Sequence, residues 1–234
     1  LDQYSEATWC GFETAGFVYR DYDQYKEYWA PGGGGEKLIE RLEEESTFKV
    51  FGAAMDGSRH LTSKKPVYSP DDLTGMNIRV PSTEINIGLW EALGANATPM
   101  DFSEVYTALQ QNMVDGQENP LSTSYNAAMY EVCPYLTMTA HSILTDAMMM
   151  DMGKFESLPA EYQEILLDAA EEAAAWRTDN TIANEELLKQ QFADQGVEII
   201  EDIDRTPWAE LADEFHKTLD QSIQDVIAEV KESW

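Results

Sequence analysis

Positive charge is what this 234-residue sequence lacks most: 15 lysines and arginines stand against 44 aspartates and glutamates, for a formal net charge of −29. A field of that sign repels nucleic-acid phosphates and anionic lipid surfaces, and excludes nucleic acid as a partner. Cysteine is almost absent. Cys10 and Cys133 are too few and too far apart for a zinc site or a redox CxxC pair, and leave one disulfide or two buried thiols. Histidine is scarce as well: His60, His141 and His216 fall at no metal-ligand spacing, and the sequence holds no H-E-x-x-H, no G-x-S-x-G and no acidic calcium loop. No metal, cofactor or catalytic motif is therefore predicted. No apolar run approaches the about 18 residues of a membrane-spanning helix. The first residue is Leu1, without a methionine or a secretory h-region, so the start reads as processed or truncated.

What is present is 43% hydrophobic and 11% aromatic residues, the composition of a globular chain whose acids are spread over a solvated surface. Asp21 is a fair N-cap for a short helix through Tyr25 and Trp29, which Pro31 and four glycines end. The GGGG run, 32–35, is followed by no Lys-Ser or Lys-Thr pair and reads as a flexible turn rather than a phosphate loop. A helix is predicted over 36–45 and a buried strand over 48–55. Ser69, Pro70 and Asp72 open a short helix that Gly75 closes, and 76–80 is the next strand. A helix with Ile85, Leu89, Trp90 and Leu93 inward, a strand over 95–100 and a helix over 104–113 follow, the last capped by Asp101 or Ser103. This alternation argues an α/β fold with largely parallel strands. From Pro159 to Gln195 no further glycine or proline interrupts a helix of about 36 residues, roughly 54 Å at 1.5 Å per residue. Tyr162, Ile165, Leu166, Ala169, Ala173, Trp176, Ala183, Leu187 and Phe192 are its expected inner stripe, and the absence of sustained a/d heptads argues against a coiled coil. Such a length exceeds one small domain, so the helix is expected to lie across two lobes. A strand over 197–200 and one last helix, opened by Thr206-Pro207 and carrying Trp208 to Val230, complete the chain.

The anomaly is Arg79, a cation between Ile78 and Val80 in an otherwise apolar run and followed at once by Pro81. Ligands of α/β sheets sit outside the carboxyl ends of the strands, and a guanidinium matches a carboxylate with two bonds at once. Arg79 is accordingly the expected holder of an anion, in a set with Arg59, Ser82, Phe102 and Asn119. Each has a plainer reading: a structural ion pair for Arg79 and Arg59, a core ring for Phe102, a helix cap for Ser82 and a turn for Asn119.

Three stretches, DDLTGMNIRVPS at 71–82, LGANATPMDFSEVYTALQQNMVDGQENP at 93–120 and YEVCPYLTMTAH at 130–141, resemble in order the substrate-binding subunits of tripartite ATP-independent periplasmic (TRAP) transporters, the DctP family. The resemblance implies a two-lobed binding protein of periplasmic type II class, with a long helix (about 159–195) bridging the lobes. It implies lobe I from 1–57 plus 145–184, incomplete at its N-terminus because family members carry a preceding segment, and lobe II from 58–144 plus 185–234. By the same resemblance Arg79 is the carboxylate clamp, Asn119 its partner, Arg59 a second polar contact and Phe102 an aromatic of the pocket. Ser82 stands where some sialic-acid binders of the family carry asparagine. The implied function is extracytoplasmic capture of a small organic acid, a dicarboxylate, sugar acid or similar, for the small and large TRAP membrane subunits, without catalysis. An enzyme or a sensor subunit built on the same cleft is the alternative.

Overall fold

The computed structural model describes residues 8–233. A 3-10 helix, Thr8–Ala15, leads into α1 (Tyr22–Trp29), where the Asp21 side chain accepts from the Gln24 amide as its cap. α2 (Gly34–Glu45) starts inside the glycine run, so that run is not a flexible turn. A Cβ on Gly33 would lie 2.4 Å from the Tyr28 carbonyl oxygen, and one on Gly34 2.2 Å from the Tyr28 ring. The glycines let the two helices close tightly, with Tyr19, Tyr25, Tyr28 and Trp29 meeting edge to face.

β1 (Phe48–Ser63) runs twice as far as its hydrophobic pattern suggests. A short 3-10 helix, Pro70–Leu73, carries the expected capping box of Ser69 and Asp72. Then come β2 (Asn77–Val80), α3 (Glu84–Ala92), β3 (Asn96–Pro99), α4 (Phe102–Gln110), β4 (Gly116–Pro120) and α5 (Leu121–Asn126). β5 (Tyr135–Asp151), α6 (Met152–Glu156), α7 (Ala160–Asp194), β6 (Glu198–Ile200), α8 (Thr206–His216) and α9 (Gln221–Glu232) follow. The C-terminal helix expected as one is two, broken over 217–220.

The six strands form one mixed sheet in the order β3-β2-β4-β1-β5-β6. β2 is parallel to β3 and β4, and β5 to β6, as the strand and helix alternation requires. The longest ladder, β1 with β5, is antiparallel. These two strands carry both ends of the molecule. Toward Val50, Met55 and Ile143 they bury the aromatic cluster around Trp9, Phe12, Tyr25 and α9. Toward Leu61 and Leu136 they meet the cores around Ile78, Trp90 and Trp208 and around Phe192. This two-lobed plan has its crossing point at a bulge: Arg59 pairs with Ser142 and Leu61 with Thr137, so residues 138–141 face His60 alone. Ala140 adopts a left-handed φ of 43° there, and the Phe17 amide, itself at φ 52°, donates to the His141 carbonyl at 2.6 Å.

At 35 residues, about 52 Å, α7 has the expected reach. Its inner face differs from the expected stripe. Ala170, Ala174 and Phe192 are buried, whereas Tyr162, Ile165 and Leu187 are exposed and Trp176 keeps 68% of its surface in solvent. The cause is backbone proximity: a Cβ on Gly52 would stand 3.1 Å from the Ala170 carbonyl, so only small residues fit that seam. Arg177 ties the helix to the ribbon through Asp56 and Asp146. Cys10 and Cys133 are both buried free thiols, in different cores.

Candidate anion-binding site

Alternation along β2 sends Ile78 and Val80 into the apolar core under α3 and turns Arg79 to the opposite face, in register with Thr98 of β3 and Gln117 of β4. The side chain then reaches along the carboxyl end of the strands. Its Nε and Nη2 donate to the Met100 carbonyl at 2.9 and 2.6 Å, and its guanidinium lies 5.7 Å from the centre of the Phe102 ring. Only 4% of Arg79 is exposed, yet no carboxylate of the described residues pairs with it, and Nη1 carries no hydrogen bond among them. A structural ion pair, the plainer reading of this residue, is absent from the described structure. Burial pulls the guanidinium below its ordinary pKa, Glu118 and Asp101 push it back up, and Arg59 pulls it further down.

Phe102 is not a core ring. It is the first residue of α4 and 41% exposed, over the arginine it would help shield. Asn119, near the end of β4, is buried and fixed from both sides: Oδ1 accepts from Arg59 Nη2 at 3.0 Å and Nδ2 donates to Gln117 Oε1 at 2.6 Å. Gln117 in turn donates to Thr62 and Ser124. The turn expected as the plainer reading of Asn119 is instead a buried strand, GQENP, in which consecutive polar side chains are each satisfied. Ser82 is exposed in the turn after β2, and the cap of α3 is Thr83, whose hydroxyl accepts from the Asn86 amide.

Arg59 is engaged within the protein. It forms a fork on Glu118, Nε to Oε2 at 2.5 Å and Nη2 to Oε1 at 2.9 Å, and Nη2 also donates to the Glu118 carbonyl. His141 Nε2 lies 3.0 Å from Glu118 Oε2, with its Nδ1 2.8 Å from the Thr139 hydroxyl. Burial pushes the Glu118 carboxyl up, but the charge of Arg59 and the bonds from His141 and Arg59 outweigh it and bring the group to about 2. Burial holds His141 below its ordinary value, so the ring is neutral and its Nε2–H donates to the carboxylate. Glu118, Gln117 and His141 escape a sequence reading. The only signal of Gln117 and Glu118 is adjacency to Asn119 in the polar run between Gly116 and Pro120, and His141, on β5, has none.

Around an anion the arrangement offers one guanidinium with a free edge, an aromatic cover and a pre-oriented amide. No group of three metal-ligating side chains exists among the described residues. Two surface grooves, about 950 Å³ between α8, α9 and Pro70 and about 540 Å³ between α1, α2 and α7, contain none of Arg59, Arg79, Ser82, Phe102 and Asn119.

The family model for bacterial extracellular solute-binding proteins, family 7 (DctP), matches residues 10–222. A 2,3-diketo-L-gulonate-binding periplasmic protein of Escherichia coli is 31% identical over 195 residues, 83% of this chain and 59% of that protein. Two crystal structures of TRAP periplasmic solute-binding proteins superpose closely. One from Roseobacter denitrificans with bound L-galactonate has a TM-score of 0.82 and 27% identity, covering 92% of this chain and 72% of that one. One from Chromohalobacter salexigens with bound D-glucuronate has a TM-score of 0.87 and 25% identity, covering 96% and 75%. The chain spans about three fifths of the length of the curated relatives it matches.

Proposed function

The chain belongs to family 7 of the bacterial extracellular solute-binding proteins, the DctP family, and from that membership we propose that it captures a small organic acid at Arg79. The observation that carries the reading is the unpaired guanidinium. A protein with 44 acids buries one arginine at the carboxyl end of parallel strands and gives it no carboxylate among the described residues. Left so, a buried cation costs stability, and an anionic ligand removes that cost on arrival. Asn119, held by Arg59 and Gln117, is the neutral partner of the same carboxylate, Phe102 covers the pair, and Ser82 stands at the rim of the turn.

The relatives' ligands point the same way, since L-galactonate, D-glucuronate and 2,3-diketo-L-gulonate are all sugar acids. Lobe II, expected at 58–144 plus 185–234, departs from those bounds at α9 (Gln221–Glu232), whose Ile223, Val226, Ile227 and Val230 pack into the core of lobe I, and it carries the clamp. Lobe I, 1–57 plus 145–184, closes on it about the β1–β5 bulge, and the closed form docks on the TRAP membrane subunits outside the cytoplasm. No step of this cycle is catalytic. Titration calorimetry with D-glucuronate and L-galactonate, on the native chain and on Arg79→Met, tests the proposal. Binding lost in the variant and recovery of unchanged ligand support it. Equal binding by both proteins, or a product released from the ligand, overturns it.

A further inference from the structure

The bulge of the β1–β5 ladder carries the histidine that holds Glu118, and it is gripped from three sides. The Ala140 amide donates to His60 Nδ1 at 3.1 Å, the Ala140 carbonyl accepts from Arg205 Nη2 at 2.7 Å, and the His141 carbonyl accepts from the Phe17 amide at 2.6 Å. Between these bonds Ala140 sits at a φ of 43°, a left-handed conformation that alanine adopts only at a cost. The bend sets His141 Nδ1 2.8 Å from the Thr139 hydroxyl and Nε2 3.0 Å from Glu118. Glu118 in turn lies in the fork of Arg59, whose Nη2 holds Asn119 Oδ1 at 3.0 Å. Arg205, just before α8, has one hydrogen bond among the described residues, the one to Ala140. Its guanidinium lies 5.4 Å from the centre of the Phe17 ring, and its Nε is buried with no partner among the described residues. A buried donor left unmade destabilises the fold, so a plain packing role is poorly served by an arginine here.

We propose that Arg205 is a positioning residue for the anion site. By holding the Ala140 carbonyl it keeps the left-handed bend, and the bend aims His141 at Glu118, so that Arg59 and Asn119 stay set for the ligand's carboxylate. This rests on Arg79 and Asn119 being the carboxylate clamp and goes beyond it by naming the group that sets the clamp from outside. Without the Arg205 bond, an alanine at 140 relaxes toward the right-handed or extended backbone it prefers. Only the fraction still bent then presents Asn119 in place, and apparent affinity falls by that fraction. Arg205 acts on the ligand through this chain of bonds and not by contact.

The test titrates D-glucuronate into the native protein, Arg205→Met and the double variant Arg205→Met/Ala140→Gly. Arg205→Met is expected to weaken binding roughly tenfold, the factor that the cost of a left-handed alanine sets. Glycine takes a positive φ about as readily as a negative one, so the double variant should recover to within about threefold of the native affinity. An Arg205 that only packs on Phe17 would lose affinity that glycine at 140 does not restore, which overturns the proposal. Adding His141→Gln to Arg205→Met should weaken binding no further than His141→Gln alone, and losses that add overturn the route through His141. If Arg205→Met does not fold, Arg205→Lys, which keeps a charge but not the planar fork that reaches Ala140, is read against the same glycine rescue. Native affinity in the Arg205 variant, with binding lost in Arg79→Met, overturns this inference while the clamp stands. No binding by the native protein overturns the clamp and this inference with it.

Discussion

Replacing Arg79 by methionine keeps an unbranched apolar stem and removes the guanidinium with its charge. The native guanidinium spends two donors on the Met100 carbonyl and leaves Nη1 without a protein partner among the described residues. A charge-assisted hydrogen bond contributes about 1.5–3 kcal/mol, and truncating one partner of a buried ion pair costs about 3–5 kcal/mol because the other charge is left alone. At about 1.4 kcal/mol per decade, carboxylate affinity should fall by two to nearly four decades. The unliganded protein should respond differently. It loses two hydrogen bonds to one carbonyl, about 1 kcal/mol each, but no longer buries a cation without an acid. Its thermal midpoint is therefore expected to stay level or rise. Calorimetry on the acid and thermal unfolding without ligand separate the two effects. Unchanged affinity would refute the reasoning, and so would a loss of affinity matched by an equal loss of unliganded stability, the mark of a structural arginine.

Glu13 is buried at the heart of the aromatic cluster, accepting from Tyr19 and from the Thr145 amide and hydroxyl, and burial lifts its carboxyl to about 7 against the bonds that lower it. With a folded value above the unfolded 4.5, its stabilising contribution is full below pH 4.5 and drains away as pH rises through about 7, a change of about 3 kcal/mol. Glu13→Gln should flatten that slope in denaturant titrations at several pH values, and an unaltered slope would count against it. His60 is held down to about 3, chiefly by burial, and accepts from the Ala140 amide through Nδ1. The unfolded chain takes up that proton first, so stability is lost as pH falls from 6.5 toward 3, and His60→Gln should lower the midpoint of acid unfolding. Gly33→Ala forces a Cβ against the carbonyls of Glu27, Tyr28 and Ala30 at the end of α1 and should cost more than about 2 kcal/mol. Gly32→Ala meets nothing and pays only for its left-handed φ, about 1–2 kcal/mol. Equal costs in unfolding curves would remove the close-packing account of the glycine run.

Elements with local signals were legible in the sequence. Caps and glycines placed α1, the Ser69–Asp72 box and α3 to within a residue or two, and the uninterrupted run after Pro159 announced α7. The strand that most defines the fold was not legible. β5 mixes Thr, His, Ser and Asp with Met and Ile over 17 residues, because its two halves serve two different cores and its middle bulges, so no single period survives. The exposed Trp176 misled for a related reason: a glycine on β1, not the hydrophobicity of α7, decides which face packs. In the site, Arg79 was legible because a cation breaks an apolar strand. Glu118 was not, since one acid among 44 has no local mark and its meaning comes from a fork with a residue 59 positions away.

The proposed function depends above all on Arg79 holding the ligand's carboxylate. A crystal structure of the protein with D-glucuronate tests it most directly. The carboxylate is expected within hydrogen-bond distance of Arg79 Nη1 and of Asn119, under Phe102, with Arg59 still closed on Glu118. An acid bound away from Arg79, or Arg79 turned onto a protein carboxylate while the ligand sits elsewhere, would contradict it.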